Sequence, residues 1–184
     1  MALMTRADAL ALIEKQVTNK NLRKHMLAAE AVMRALAARL GQDVELWGLA
    51  GLLHDCDYDQ TSQDPARHAI VGAEMLEKLG LPAELTHAVK AHAAKAPVET
   101  TIDQALWCVD PTTGFLVSCA LIRPEKKLAI VDVPFVKKRM AEKGFSRAVN
   151  REQIKSCETL GVPLDEFLGI ALDAMKAIAG EMGL

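Results

Sequence analysis

Aromatic residues make up only 4% of the 184-residue sequence and β-branched residues rarely alternate with polar ones, which argues against a core built on sheets. No uncharged apolar run approaches the roughly 20 residues needed to cross a bilayer, so a membrane span is not expected. The opening stretch, MALMTRADALALIEKQ, interleaves acids and bases with its apolar residues, unlike a secretory signal, and export is not expected. The four cysteines, Cys56, Cys108, Cys119 and Cys157, form no C-x-x-C pair. That removes a thiolate zinc site and a disulfide framework from consideration and points to reduced thiols in a cytoplasmic protein. Charge of one sign is also lacking: 22 Lys and Arg against 24 Asp and Glu give a net charge of -2, with no overall pull toward duplex nucleic acid or an anionic membrane. There is no phosphate-cradling Gly-rich loop, no H-E-x-x-H motif and no Ser-His-Asp signal.

What remains is a chain that is 51% hydrophobic and 25% charged, rich in Ala, Leu, Met, Glu and Lys at helical spacing. This predicts one all-α domain over residues 1–184, with a core at about 19–124 and a helical extension at about 125–184. Punctuation divides it. A long helix from about residue 19 closes at Gly41, and Asp43 opens another that runs to His54-Asp55. Asp64-Pro65 starts a third, ended by Gly80, and Pro82 opens a fourth, stopped by Ala96-Pro97. Thr101 or Asp103 caps a fifth that passes through Asp110 with a break or bend at Pro111, and Arg123-Pro124 closes it. A shorter helix lies between Val133-Pro134 and Gly144, and two more occupy about 150–161 and 163–180. Residues 128–133 are compatible with a strand or an extended connection.

The histidines fall in a pattern. At 100° per residue, His25 sits in the stripe of Leu22, Ala29, Val32 and Leu36, His68 in line with Gly72, Met75 and Leu79, and His92 in line with Leu85, Ala88 and Val89. These three point inward. His87, flanked by Glu84 and Lys90, is turned nearer to solvent. Gly48 and Gly51 share the side of Asp55, so a backbone or a ligand can come close there, and Asp110 lies on a largely apolar face. Any one inward histidine is accounted for as a core residue bonded to a carbonyl or carboxylate. Jointly, these groups would each lose on the order of a few kcal/mol if left without water or partner, and a shared cation satisfies them all. Imidazole with carboxylate suits Mn, Fe, Co, Ni or Zn better than Ca.

In order and on successive helices, His25, His54-Asp55 and Asp110 resemble the H…HD…D signature of the HD superfamily of metal-dependent phosphohydrolases. The hydrophobic helix running into the pair in LAGLLHDCDYD and the upstream H-x-x-x-A-x-x-V-M strengthen the resemblance, which covers roughly residues 19–124. The whole chain is similar to small single-domain HDIG-type proteins, with Cys56 and Asp57 where that motif has an apolar residue and Gly. The resemblance implies an HD-type helical bundle with additional C-terminal helices and a first ion on His25, His54, Asp55 and Asp110. It further implies a second ion on His68 and His92, bridged by Asp55, with His87 able to replace His92. No second histidine follows His92, where some two-metal members have an adjacent pair.

A cation in such a site lowers the pKa of water from about 16 toward 7 and polarises a phosphoryl oxygen, so hydrolysis of a small phosphorylated substrate, a nucleotide or another ester, is the expected activity. Asp55 is the central catalytic carboxylate in this reading, and Asp57 and Asp59 are candidates to protonate a leaving group, against roles in helix termination and turns. Tyr58 offers a ring for stacking. Between residues 123 and 155 ten bases face four acids, a local balance of +6 that contrasts with the whole chain. Within it Lys126 and Lys127 are candidates to grip substrate, the alternative being a solvated helix surface. Two other functions use the same residues: a di-iron oxygenase, and a metal-containing ligand-binding or signalling module without turnover. Leu164, Phe167, Leu168 and Leu172 fit internal packing or an interface, and the oligomeric state stays open.

Overall fold

A computed structural model describes residues 3–184; Met1 and Ala2, included in the single-domain expectation, lie outside it. Among the described residues there is no strand, and the chain is all-α. Helix α1 (Arg6–Gln16) is capped by Thr5, and α2 (Lys20–Leu40) runs from its Asn19 cap to Gly41, whose φ of 67° suits a residue without a Cβ. Then come α3 (Val44–Leu53), capped by Asp43, and the single turn α4 (Tyr58–Thr61). Helices α5 (Ile70–Lys78), α6 (Ala83–His92) and α7 (Thr101–Leu121) complete the part that carries the histidines. Helices α8 (Val133–Ala141), α9 (Arg151–Lys155), α10 (Leu164–Ala177) and α11 (Ala179–Met182) follow.

The central contact is α2 against α3. A Cβ on Gly51 would stand 2.7 Å from the backbone of Ala29, so only glycine lets the two helix backbones come this close. The glycine that crowds Asp55's side in the sequence thus admits a neighbouring backbone, and the approach brings the end of α3 beside α2. Gly48 likewise makes room for the Arg34 side chain. Arg34 and Arg6 share the buried carboxylate of Glu30, with Arg34 also bonded to Glu45, which ties α1, α2 and α3 at one end. The two guanidiniums satisfy both oxygens of this buried carboxylate with charge-assisted hydrogen bonds.

The structure departs from the sequence reading in several places. The first helix, α1, was not among the expected elements. The segment before α5 does not continue a helix from Pro65: it is a string of turns in which Arg67 N–H donates to Asp64 and Ile70 N–H to Arg67, and Ala69 adopts φ 67°. His68 therefore sits in a turn, outside helical register. Thr100, rather than Thr101 or Asp103, caps α7, and Asp103 closes the reciprocal capping box. Helix α7 also passes through Pro111 without ending. Proline lacks the N–H that Trp107's carbonyl would accept, and the Gln153 side-chain amide from α9 donates to that carbonyl instead, at 2.8 Å. Residues 128–130 form a 3-10 turn, not a strand.

One apolar core extends from Ala9 to Met182. Phe167, Leu168 and Leu172 of α10 are buried in it and Leu164 packs against it, so this stripe serves internal packing.

Candidate metal centre

Four imidazoles and two carboxylates meet between α2, the end of α3, the turn before α5, the end of α6 and the middle of α7. His25 Nε2 lies 3.1 Å from His54 Nε2 and 3.0 Å from Asp110 Oδ1. Asp55 divides its two oxygens: Oδ2 faces His54 at 3.4 Å and His25 at 3.7 Å, while Oδ1 faces His68 at 3.3 Å and His92 at 3.4 Å. Two overlapping sets, His25-His54-Asp110 and His54-Asp55-His92, have donor atoms close enough to hold an ion.

Each ring is fixed from behind. His54 Nδ1–H donates to the Gly51 carbonyl at 2.8 Å, and His92 Nδ1–H donates to the carbonyl of Val89. His68 Nδ1–H donates to Asp57 Oδ1 at 2.9 Å. His25 Nδ1–H donates to Thr113 Oγ1 at 2.8 Å, whose own hydrogen goes to the Asp110 carbonyl at 3.0 Å. Carbonyls and carboxylates only accept, and the Thr113 hydrogen is already given to Asp110, so these bonds place a hydrogen on each Nδ1 and, in the neutral rings, leave each Nε2 as a lone pair. Four lone pairs then face carboxylate oxygens and one another. Acceptor against acceptor at these distances is repulsive unless protons or a cation lie between them. The donor set fits a divalent transition metal.

Electrostatics agree with that demand for positive charge. Burial opposes protonation of His54, yet the adjacent Asp55 and Asp110 carboxylates push its pKa up to about 9. His68, opposed by burial in the same way and held by Asp55 and Asp57, also rises to about 9. Against the cost of its burial, Asp55 is held well below the usual carboxylate range by His54, His68 and His92. Asp110 is lowered, against its burial, chiefly by His25 and His54. A cation would replace those protons.

The sequence matches the family described as HD domain over residues 22–129, more than half of the chain. The chain belongs to the HD-domain family. Among its relatives is the ribonuclease Y of Desulfotalea psychrophila, 32% identical over 95 residues, or 52% of this chain and 18% of that protein. The ribonuclease Y of Pelobacter propionicus is 34% identical over 95 residues, again 52% and 18%. That of Nitratidesulfovibrio vulgaris strain DP4 is 30% identical over 96 residues, with the same coverage. The matched stretch thus spans less than a fifth of these relatives' length. No solved structure gives a significant match.

Around the HD pair, the other candidate residues are distributed unevenly. Asp57 is fully buried, with Oδ1 on His68 and Oδ2 accepting the Gly72 N–H at 2.8 Å, so both oxygens are engaged. Asp59 Oδ2 accepts from the Thr18 amide and hydroxyl, both at 2.6 Å, and is directed to the α1–α2 link. His87 Nδ1 bonds Asp103 Oδ2 at 3.0 Å and its Nε2 lies 3.9 Å from Glu99, apart from the cluster. Lys126 and Lys127 are exposed beyond the end of α7, which lies roughly 16 Å along the helix from Asp110 at 1.5 Å per residue. Tyr58, 46% exposed, sets its ring at a T-shaped 5.4 Å from His68. Thr113 escaped the sequence reading, although its place one turn after Asp110 puts both on one face.

Proposed function

We propose that this HD-domain chain is a divalent-metal phosphohydrolase acting on phosphate esters of small molecules, nucleotides included. The observation that carries the reading is the convergence of four Nε2 atoms, each ring anchored by a bond at Nδ1, on the oxygens of Asp55 and Asp110. In this reading His25, His54, Asp55 and Asp110 hold a first ion. His68 and His92, together with Asp55, would hold a second. A bound divalent ion supplies an acidified water and neutralises phosphoryl charge.

The remaining steps belong to the protein. Asp55 spaces the two halves by presenting one oxygen to each. Asp57 orients His68, and Thr113 orients His25, as supporting groups do around metal ligands. With both of its oxygens bonded, Asp57 is a positioning residue rather than a proton donor in this reading. The relatives named ribonuclease Y favour a phosphodiester among the esters to be tested.

The test is elemental analysis of metal-replete protein followed by assay on a panel of phosphomonoesters and phosphodiesters. One or two bound ions with hydrolysis are expected, and Asp55→Ala should remove bound metal and lower turnover by at least about a hundredfold, since it takes a ligand from both halves. Two irons with oxidation of an organic substrate by dioxygen, or bound metal without turnover on any ester, would overturn the assignment.

A further inference from the structure

Beside His25 lies a cavity of about 390 Å³ between α2, α7 and the C-terminal residues 182–184. Its walls are largely apolar: Ala28 from α2, Val117 and Leu121 from α7, Met182 and Leu184 from the C-terminal end. Its polar lining comes from Asn21, Lys24, His25 and Thr113, of which His25 and Thr113 also belong to the candidate metal centre. Among the described residues no carboxylate pairs with Lys24, and its ammonium extends toward Gly183, 3.3 Å from where a Cβ on that residue would stand.

Gly114 supplies a separate observation. It lies inside α7, where glycine is a weaker helix former than alanine, and no neighbour demands its small size: a Cβ there would meet nothing within 4 Å. Unlike Gly51, which is squeezed by a backbone, Gly114 is exposed with open space around it, and it is one of the residues that line the cavity.

We propose that this cavity receives the organic group of the phosphate ester, with Gly114 setting how large that group can be and Lys24 meeting the negative charge of the phosphate. The inference rests on the phosphate-ester reading above. A volume near the lower end of the range of small-molecule pockets admits one compact, mainly apolar moiety. Burial of that moiety against Val117, Leu121 and Leu184 would then give affinity that the phosphate alone lacks.

Titration of manganese-loaded and metal-free protein with methylphosphonate and phenylphosphonate, two probes that cannot be hydrolysed as esters, tests this directly. Phenylphosphonate should bind the wild type about tenfold or more tightly than methylphosphonate, since burying a ring removes apolar surface from water. Gly114→Leu should erase that advantage, leave methylphosphonate affinity nearly unchanged, and hold or raise the melting temperature. Val117→Phe, one turn along, should fill the same space and act alike. Lys24→Gln should weaken both probes by a similar factor, about tenfold. Equal affinity of the two probes for the wild type, or an undiminished preference for phenylphosphonate in both space-filling variants, would overturn the proposal. Metal content and ester turnover measured on the same samples keep this separate from the hydrolase reading, which those two measurements on the wild type test on their own.

Discussion

The two halves of the candidate metal centre are built differently. His25 and Asp110 project from the interiors of two long helices, α2 and α7, and His54 is pressed against α2 by the Gly51 contact. The other half leans on His68, which sits in a turn ending at the left-handed Ala69, and on His92, the last residue of α6. Ligands on well-packed helix interiors lose little further freedom when an ion binds, whereas a ligand in a turn must be held by added bonds. Asp57 supplies such a bond by reaching both the His68 ring and the Gly72 amide of the next helix. The comparison teaches that the helix-borne histidines are placed by packing, whereas His68 depends on a single buried carboxylate.

The largest expected effect follows from removing one ligand from each half. His25→Ala should strip the protein of the ion bound by the helix-borne half and of nearly all turnover, whereas His68→Ala should lose the ion of the turn-borne half and retain the other. Counting bound ions per chain in the two variants checks this, and equal losses would erase the asymmetry. Next in size, Asp57→Asn keeps the shape of the side chain but weakens the bond that orients His68. A loss of about 10- to 100-fold in affinity for the second ion is expected, with the first unchanged, as titration calorimetry would show.

pH sharpens the comparison in the metal-free protein. His54 and His68 each have a folded pKa raised from 6.5 to about 9, so the stability they contribute is fully present below about 6.5 and is lost as pH rises through about 9. Asp55 and Asp110, both lowered, contribute stability that is present above the ordinary carboxylate range and is lost only as pH falls through their depressed values. The melting temperature of the metal-free protein should therefore decline by several degrees between pH 6.5 and 9. In the metal-loaded protein the ion takes the place of those protons, so the decline should be absent. His68→Ala should remove only part of the slope, because His54 retains its share.

Much of the helix-borne half was legible in the sequence, because the periodicity of α2 and the run of small and apolar residues into His54-Asp55 are local signals. Caps at Asn19 and Asp43 fell at their expected places for the same reason. The turn-borne half was less legible. Asp64-Pro65 reads as a helix start, but the turn bonds across 61–70 and the left-handed Ala69 depend on Asp57 gripping Gly72, a contact between residues fifteen apart. Helical arithmetic turned His68 inward by the wrong route. Asp57 looked like a free acid for the same reason: its two partners are brought to it only when α4 and α5 fold together. Spacing already turned His87 away from the side of His92, but its partner was hidden, because the Asp103 that engages it lies on another helix. The Lys24 side of the cavity was invisible because its walls come from opposite ends of the chain.

The smallest effect concerns how α7 keeps Asp110 in place. Pro111 follows Asp110 directly, and without compensation a mid-helix proline costs about 3 kcal/mol and bends the helix at the residue that bonds His25. Gln153 of α9 offsets part of that by donating to the freed Trp107 carbonyl. Gln153→Ala should thus lower stability by about 1 kcal/mol, the worth of one hydrogen bond whose acceptor is left bare. If the extension also holds the helix-borne half in register, the variant should show weaker binding of the first ion while the second is unaffected. A stability loss with both ion affinities unchanged would confine α9 to a structural role and leave the preorganisation of Asp110 to the packing of α2 and α3.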